Sequence, residues 1–285
     1  MAPRSLSRRL HRPVRGARIG LCLCLLLAWS GSALACNEAP HDATQMPESL
    51  SNHWLDPGGS LAWYDGPTTR YPHGVLGDAI EATELHAYSE ASRTTCDDHV
   101  LILPEDLVFE DIAPRLVDLD GDNMPEIIVV QSHQRLGAQL AVYRAADDGI
   151  GFDLLATTPF IGRPNRWLAP IGAADLDGDG MIEIAYIDRP HLSRILRVWR
   201  YVPGGLHGQD RLVEVAALAG LSNHRIGEDF ISGGLRDCGA GPELITANAD
   251  WSQVMATRMD NSGLQTRALA PWSAASLASA MACTL

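Results

Sequence analysis

The 285-residue sequence predicts an all-β protein, a small β-propeller of about four, or five, four-stranded blades. Short runs such as HVLILP, EIIVVQ, QLAVYR, EIAYID, ILRVWRY, LVEVAAL and ELITANA are rich in Val, Ile, Tyr and Trp, and Gly, Pro, Asp and Asn punctuate the gaps between them. No segment carries a long helical period. The third observation is a repeat. DLDGDNMPEIIVV (Asp118 to Val130) returns as DLDGDGMIEIAYI (Asp175 to Ile187), 57 residues later. A similar step forward reaches GGLRDCGAGPELITA (Gly233 to Ala247), which keeps the glycines, the Pro-Glu pair and the strand but not the acids. A step back reaches a more diverged copy, YPHGVLGDAIEATELHAYS (Tyr71 to Ser89). About four strand-sized runs per unit and at least four units suit radial packing of blades; a β-sandwich has short strands but no period.

Taken in order, residues 1–18 carry six Arg and no acid, Ile19 to Trp29 is apolar, and SGSALAC follows. A basic stretch, a short apolar core and small residues at Ala33 and Ala35 read as a signal peptide, 1–35, cleaved after Ala35. A lipid-anchored Cys36 is the rival, weakened because Ala33 stands where such sites favour Leu. Arg8-Arg9 is a faint twin-arginine signal. Residues 36–60, polar and rich in Pro, Gly, Ser and His, read as a flexible lead-in. The propeller is expected over 61–271. A small-residue tail, 272–285, reads as a short helix held by Cys283. Strands from both ends are expected to complete one blade, with SLAWYDG near LQTRALAP.

Without its first 35 residues the chain loses six basic groups, and its formal charge of −13 becomes about −19. No Lys occurs anywhere, which excludes Schiff-base and P-loop chemistry. An acidic chain without basic tracts is a poor nucleic-acid binder. It suits solubility and cation binding. Cys36, Cys96, Cys238 and Cys283 remain, an even number that fits disulfides in an oxidising, periplasmic or secreted setting. Four Cys allow three pairings, and the sequence does not choose.

The acidic loops raise the functional question. Asp118, Asp120 and Asp122, and again Asp175, Asp177 and Asp179, hold positions 1, 3 and 5 of their loops. Gly121, Gly178 and Gly180 permit a sharp turn that brings the carboxylates together, and Asn123 stands where the second loop has Gly180. The carbonyl of Met124 or Met181 can join at position 7, with Glu126 or Glu183 at position 9. Such an oxygen-only, charged cage is what Ca²⁺ favours, and without a cation these acids repel one another. An EF-hand is excluded because position 12 is Val129 or Tyr186, within a strand. A solvated Asp-rich turn is the plain alternative, and two copies in register argue against it.

These two loops resemble the FG-GAP (or VCBS) repeat, the blade unit of integrin-type propellers, whose loops follow D-x-D-x-D-G-x-x-[DE]. The resemblance covers roughly residues 60–270. It implies structural Ca²⁺ bound between the first two strands of a blade, with Asp118, Asp120, Asp122, Met124 and Glu126, and Asp175, Asp177, Asp179, Met181 and Glu183, as ligands. Integrin-type propellers have seven blades; this chain has room for four or five.

A second cluster precedes the innermost strand of each unit, in TTRYPHG, IGRPNRWLAP and SNHRIGEDF. Arg166, Trp167, His224, Arg225 and Asp229 are its candidate ligand-binding residues, with Arg70, His73 and Glu228 beside them. On the face opposite the metal loops they would meet near the axis and grip an anionic or sugar-like ligand, or else lock adjacent blades together. Arg70 is expected to be glue; Arg166 and His224 are expected to face a ligand. No nucleophile elbow, HExxH or GxGxxG occurs. The chain is read as an exported, calcium-binding propeller acting as a binding or scaffold module for a protein or small ligand. The alternative is a periplasmic hydrolase or lyase using the axial Arg/His/Asp cluster.

Overall fold

The β-branched and aromatic runs fold into strands because alternate side chains can then be buried against a neighbouring sheet. The computed structural model describes residues 44–55, 58–89, 99–146, 151–205 and 208–285. Every strand pairing there is antiparallel. β1 (Ser51–Leu55), β2 (Gly58–Thr68), β3 (Glu81–Ser89) and β4 (His99–Ile102) pair in succession. β5 (Leu107–Phe109) joins β3 to the next group, β6 (Arg115–Val117), β7 (Glu126–His133), β8 (Gly137–Ala145) and β9 (Phe152–Thr157), making one nine-stranded curled sheet. β10 (Leu168–Ala174), β11 (Glu183–Asp188), β12 (Ile195–Val202) and β13 (Arg211–Ala219) form a four-stranded meander. In the last sheet β14 (Leu221–Ser222) and β15 (Gly234–Asp237) both lie on β16 (Pro242–Asn248), followed by β17 (Gln253–Asp260) and β18 (Gly263–Pro271).

β7 and β11 are buried along their whole length, which requires a packed neighbour on each face. Ile127 and Val129 meet Tyr64, Leu85 and Phe109 on one side of β7. Ile128 and Val130 join Trp167, Leu168 and Ile184 on the other. Ala185 and Ile187 of β11 pack with Leu221 and Leu244 of the last sheet. Successive sheets therefore share cores face to face. The fold is all-β, with a 3-10 turn (Pro47–Ser49) and α1 (Ala274–Met281) beside the strands.

Part of the expected lead-in is regular structure: β1 pairs with β2, and the Ser49 hydroxyl is hydrogen-bonded to Tyr64 N at 2.8 Å. The expected pairing of the chain ends is overturned. β2 pairs with its sequence neighbours β1 and β3, and β18 pairs with β17 alone. The outer face of the last sheet is instead covered by α1. The Ser273 hydroxyl caps its start by accepting from Ser276 N at 3.0 Å. Leu277, Ala280 and Met281 pack on Ile245, Val254 and Ala256. A Cys238–Cys283 disulfide, with Cα atoms 5.6 Å apart, ties the helix to the loop after β15. The helix supplies the apolar cover that a strand from the other end was expected to help complete.

The expected signal peptide, Cys36 and Cys96 lie outside the described residues. No described helix is long and apolar enough to cross a membrane.

Candidate metal centre and the cleft at the opposite strand ends

Each acidic loop joins two neighbouring antiparallel strands, β6 to β7 and β10 to β11, and its backbone folds onto its own carboxylates. Asp118 accepts from Gly121 N at 2.7 Å and Asn123 N at 3.0 Å. Asp175 accepts from Gly178 N at 2.7 Å and Gly180 N at 2.9 Å. Met124 N and Met181 N donate to Asp122 and Asp179 at 2.7 and 2.9 Å. The turn needs left-handed backbone at Gly178 (φ 79°) and Gly180 (φ 87°), and in the first loop at Gly121 (φ 81°) and Asn123 (φ 68°). Asn is among the few side chains that tolerate this region, which explains its place there. Leu119 and Leu176, at position 2, are buried in the cores between sheets and anchor the loops.

The convergence is real but differs between the copies. Carboxylate oxygens of Asp118, Asp120 and Asp122 lie within 4.8 Å of one another, and so do those of Asp175, Asp177 and Glu183. Both are hard-oxygen donor sets of the kind a divalent cation takes. Glu126 and Glu183 are fully buried and turn one oxygen onto the backbone, accepting from Leu119 N at 2.8 Å and Leu176 N at 2.9 Å. Burial pushes both carboxyls above their usual range, against the pull of these bonds and of a neighbouring Arg.

Those arginines were not anticipated. Arg144 of β8 reaches Glu126 at 2.9 Å and Asp120 at 2.5 Å. Arg200 of β12 reaches Glu183 at 2.6 Å, Asp177 at 2.7 Å and Asp179 at 2.8 Å. Each cancels one of four negative charges. The signal was present in the sequence as a cation 18 residues after Glu126 and 17 after Glu183, in the strand that follows each loop's strand.

The third loop is a related turn, two residues shorter between its Asp and its Glu, without the ladder. Asp237 accepts from Gly239 N at 2.7 Å and Gly241 N at 3.2 Å, as Asp175 does from its glycines. Cys238 stands in the loop and is disulfide-bonded. Glu243, the counterpart of Glu183, is gripped by Arg236, Arg258 and Arg267 at 2.6 to 2.7 Å. Burial opposes ionisation of this carboxyl, but hydrogen bonds from the three arginines prevail and hold it down at about 2.

The second expected cluster lies at the other ends of the strands, and its residues do not form one site. Arg70 donates to the carbonyls of Leu107 and Pro104, at 3.0 Å to Leu107 from Nε, and is glue as expected. Trp167 is core: its Nε1 donates to Glu110 O at 2.7 Å. His224, expected to face a ligand, is buried, with Nδ1 2.9 Å from His191 Nε2 and Nε2 2.9 Å from Glu228 O. Sheet-to-sheet packing buried both. Arg225 lies over Trp251, 4.1 Å from the ring centroid, and Asp229 is exposed. Arg166 opens on a cleft of about 200 Å³ that also contains His73 and His191. Its side chain's one hydrogen bond among the described residues is to the adjacent carbonyl, Asn165 O, at 2.6 Å.

Repeated antiparallel sheets, with acidic loops between corresponding strands, define the architecture of a β-repeat protein. Residues 118–186 match the family model described as an FG-GAP-like repeat, a span from the first acid of one loop to the strand behind the other. That stretch of the chain carries an FG-GAP-like repeat. No curated protein matches it by sequence.

Proposed function

We propose that this protein is an exported, calcium-binding FG-GAP-type β-propeller of about four blades, periplasmic or secreted, acting as a binding or scaffold module. The observation that carries the reading is the pair of acidic loops, each bringing three carboxylates within 4.8 Å. Asp118, Asp120, Asp122, Met124 and Glu126 would hold one ion, and Asp175, Asp177, Asp179, Met181 and Glu183 the other. Ca²⁺ there would supply positive charge and cross-link each loop, with no chemical step of its own. The two strand groups of the nine-stranded sheet, β1–β4 and β5–β9, together with the two smaller sheets support about four blades, and the disulfide supports an oxidising compartment. A hydrolase or lyase is the second reading, favoured by a buried acid, Glu110, against His73 in the cleft.

Calcium titration followed by differential scanning calorimetry tests the first reading. An ion at 100 times its Kd stabilises by about 2.7 kcal/mol per site. At about 2–4 °C per kcal/mol for a chain of this size, each site raises Tm by about 5–10 °C over EDTA. Asp177→Ala costs some baseline stability through Arg200, so the comparison is the calcium-induced shift, which should fall by about half. Identical melting curves in calcium and EDTA refute the calcium reading.

A further inference from the structure

The cleft beside Arg166 has chemistry that the metal loops do not explain. It is lined by His73, Arg166, Trp167, Arg189 and His191, with Leu192 and Ile226 as apolar walls. No residue of either acidic loop takes part. Leu192 is 61% and Ile226 72% exposed, unusual for aliphatic side chains at the mouth of a polar cleft.

The hydrogen-bond network assigns the protons on its histidines. A carbonyl only accepts, so Glu228 O holds His224 with its proton on Nε2. His224 Nδ1 is then an acceptor, and His191 Nε2 must donate to it across 2.9 Å. His191 is left with its lone pair on Nδ1. Burial, the largest cause, lowers the pKa of His191 to about 4, so the ring is neutral at ordinary pH. The His73 Nδ1 contacts Glu110 Oε1, a carboxylate acceptor that places the proton on Nδ1 and leaves Nε2 to the cleft. Glu110 has no exposure and is fixed by the Ser132 hydroxyl on its other oxygen, whereas the His73 side chain keeps 16% exposure. Buried acceptors behind both rings thus set which nitrogen each has left to offer.

Arg166 completes the set. It has no carboxylate partner among the described residues, whereas Arg189, on the same cleft, is paired with Asp188 at 2.8 Å. A guanidinium offers a planar two-pronged fork to a carboxylate. The lone pair on His191 Nδ1 accepts from a hydroxyl, and His73 Nε2 on the same cleft can hydrogen-bond a second one. We propose that this cleft binds a hydroxylated carboxylic acid of sugar size, its carboxylate on Arg166 and its hydroxyls on His73 Nε2 and His191 Nδ1. The cleft volume suits one such ring. This deepens the binding-module reading by naming a ligand class, while remaining independent of the calcium loops.

The test is isothermal titration of the mature protein, with millimolar calcium present, using glucuronate, glucose and acetate as probes. Glucuronate should bind saturably. Glucose, lacking the carboxylate, and acetate, lacking the hydroxyls, should each bind at least about tenfold more weakly. Arg166→Gln should weaken glucuronate binding by about tenfold and leave glucose unchanged, with Tm and the calcium response intact because the Arg166 side chain bonds only to its neighbour's carbonyl. Arg166→Lys, which keeps the charge without the fork, should fall between. Absence of glucuronate binding, equal affinity for glucose, or an unchanged Arg166→Gln affinity overturns the proposal. A failed glucuronate titration with an intact calcium shift sinks this site alone.

Discussion

Replacing Glu243 with Gln should be the most damaging single change in the last sheet. Glu243 is 1% exposed and accepts from Arg236 Nη2 and Arg258 Nε at 2.7 Å and from Arg267 Nη1 at 2.6 Å. Arg258 and Arg267 are 40% and 52% exposed, so water replaces the lost partner and each contributes under about 1 kcal/mol. Arg236 is different. Its side chain is 3% exposed and also donates to Ala280 O of the C-terminal helix. Removing the counter-charge leaves a buried guanidinium half-satisfied, at a cost of about 3–5 kcal/mol. For a chain of this size that is a fall in Tm of about 6–20 °C. Arg267→Gln should cost under about 1 kcal/mol, and Glu243→Leu with Arg236→Met should recover much of the loss, because it removes both buried charges together. Urea titration gives the free energies. A Glu243→Gln loss below about 1 kcal/mol would show that the carboxylate does not organise these arginines. The same carboxyl predicts an acid limb: its folded pKa of about 2 lies below the unfolded value, so its contribution is full above pH ~4.5 and is lost as pH falls through 2.

Two further outcomes follow from the same reasoning. Cys238 and Cys283 close a 45-residue separation, so Cys283→Ser, or reduction by dithiothreitol, should cost about 4 kcal/mol and release α1, read as lost protection of its amides in hydrogen exchange. His191 and His224 are both held below their ordinary pKa, chiefly by burial, and they face each other, His73, Arg194 and Glu228. The unfolded chain therefore takes up protons first. Stability is full above pH ~6.5 and declines toward pH 4 by about 2–3 kcal/mol for His191, a slope that His191→Phe should flatten in pH-dependent urea titrations.

The division between sequence and tertiary structure is visible residue by residue. The acidic loops were legible because their geometry is local: carboxylates two residues apart are brought together by a turn that uses left-handed backbone at Gly121, Gly178 and Gly180. Asn123 could be recognised as a stand-in for glycine for the same reason. The repeat revealed the meanders, since a 57-residue period and β-branched runs leave few other ways to bury β7 and β11.

What lay beyond the sequence depends on which faces meet. Trp167 and His224 had the composition of ligand-facing residues, yet the contact between neighbouring sheets buried both and gave each a backbone carbonyl partner. Arg144 and Arg200 reach their loops only because β8 and β12 lie beside β7 and β11. Nothing in the Cys spacing chose Cys238–Cys283, because that choice required α1 to fold back over the last sheet instead of a strand pairing there. His73 and Glu110 are 37 positions apart, and only the loop after β2, laid across the neighbouring sheets, brings the ring onto the carboxylate. Chemistry carried by adjacent residues is written in spacing. Chemistry assembled between sheets is decided by packing, where burial sets partner, proton and charge together.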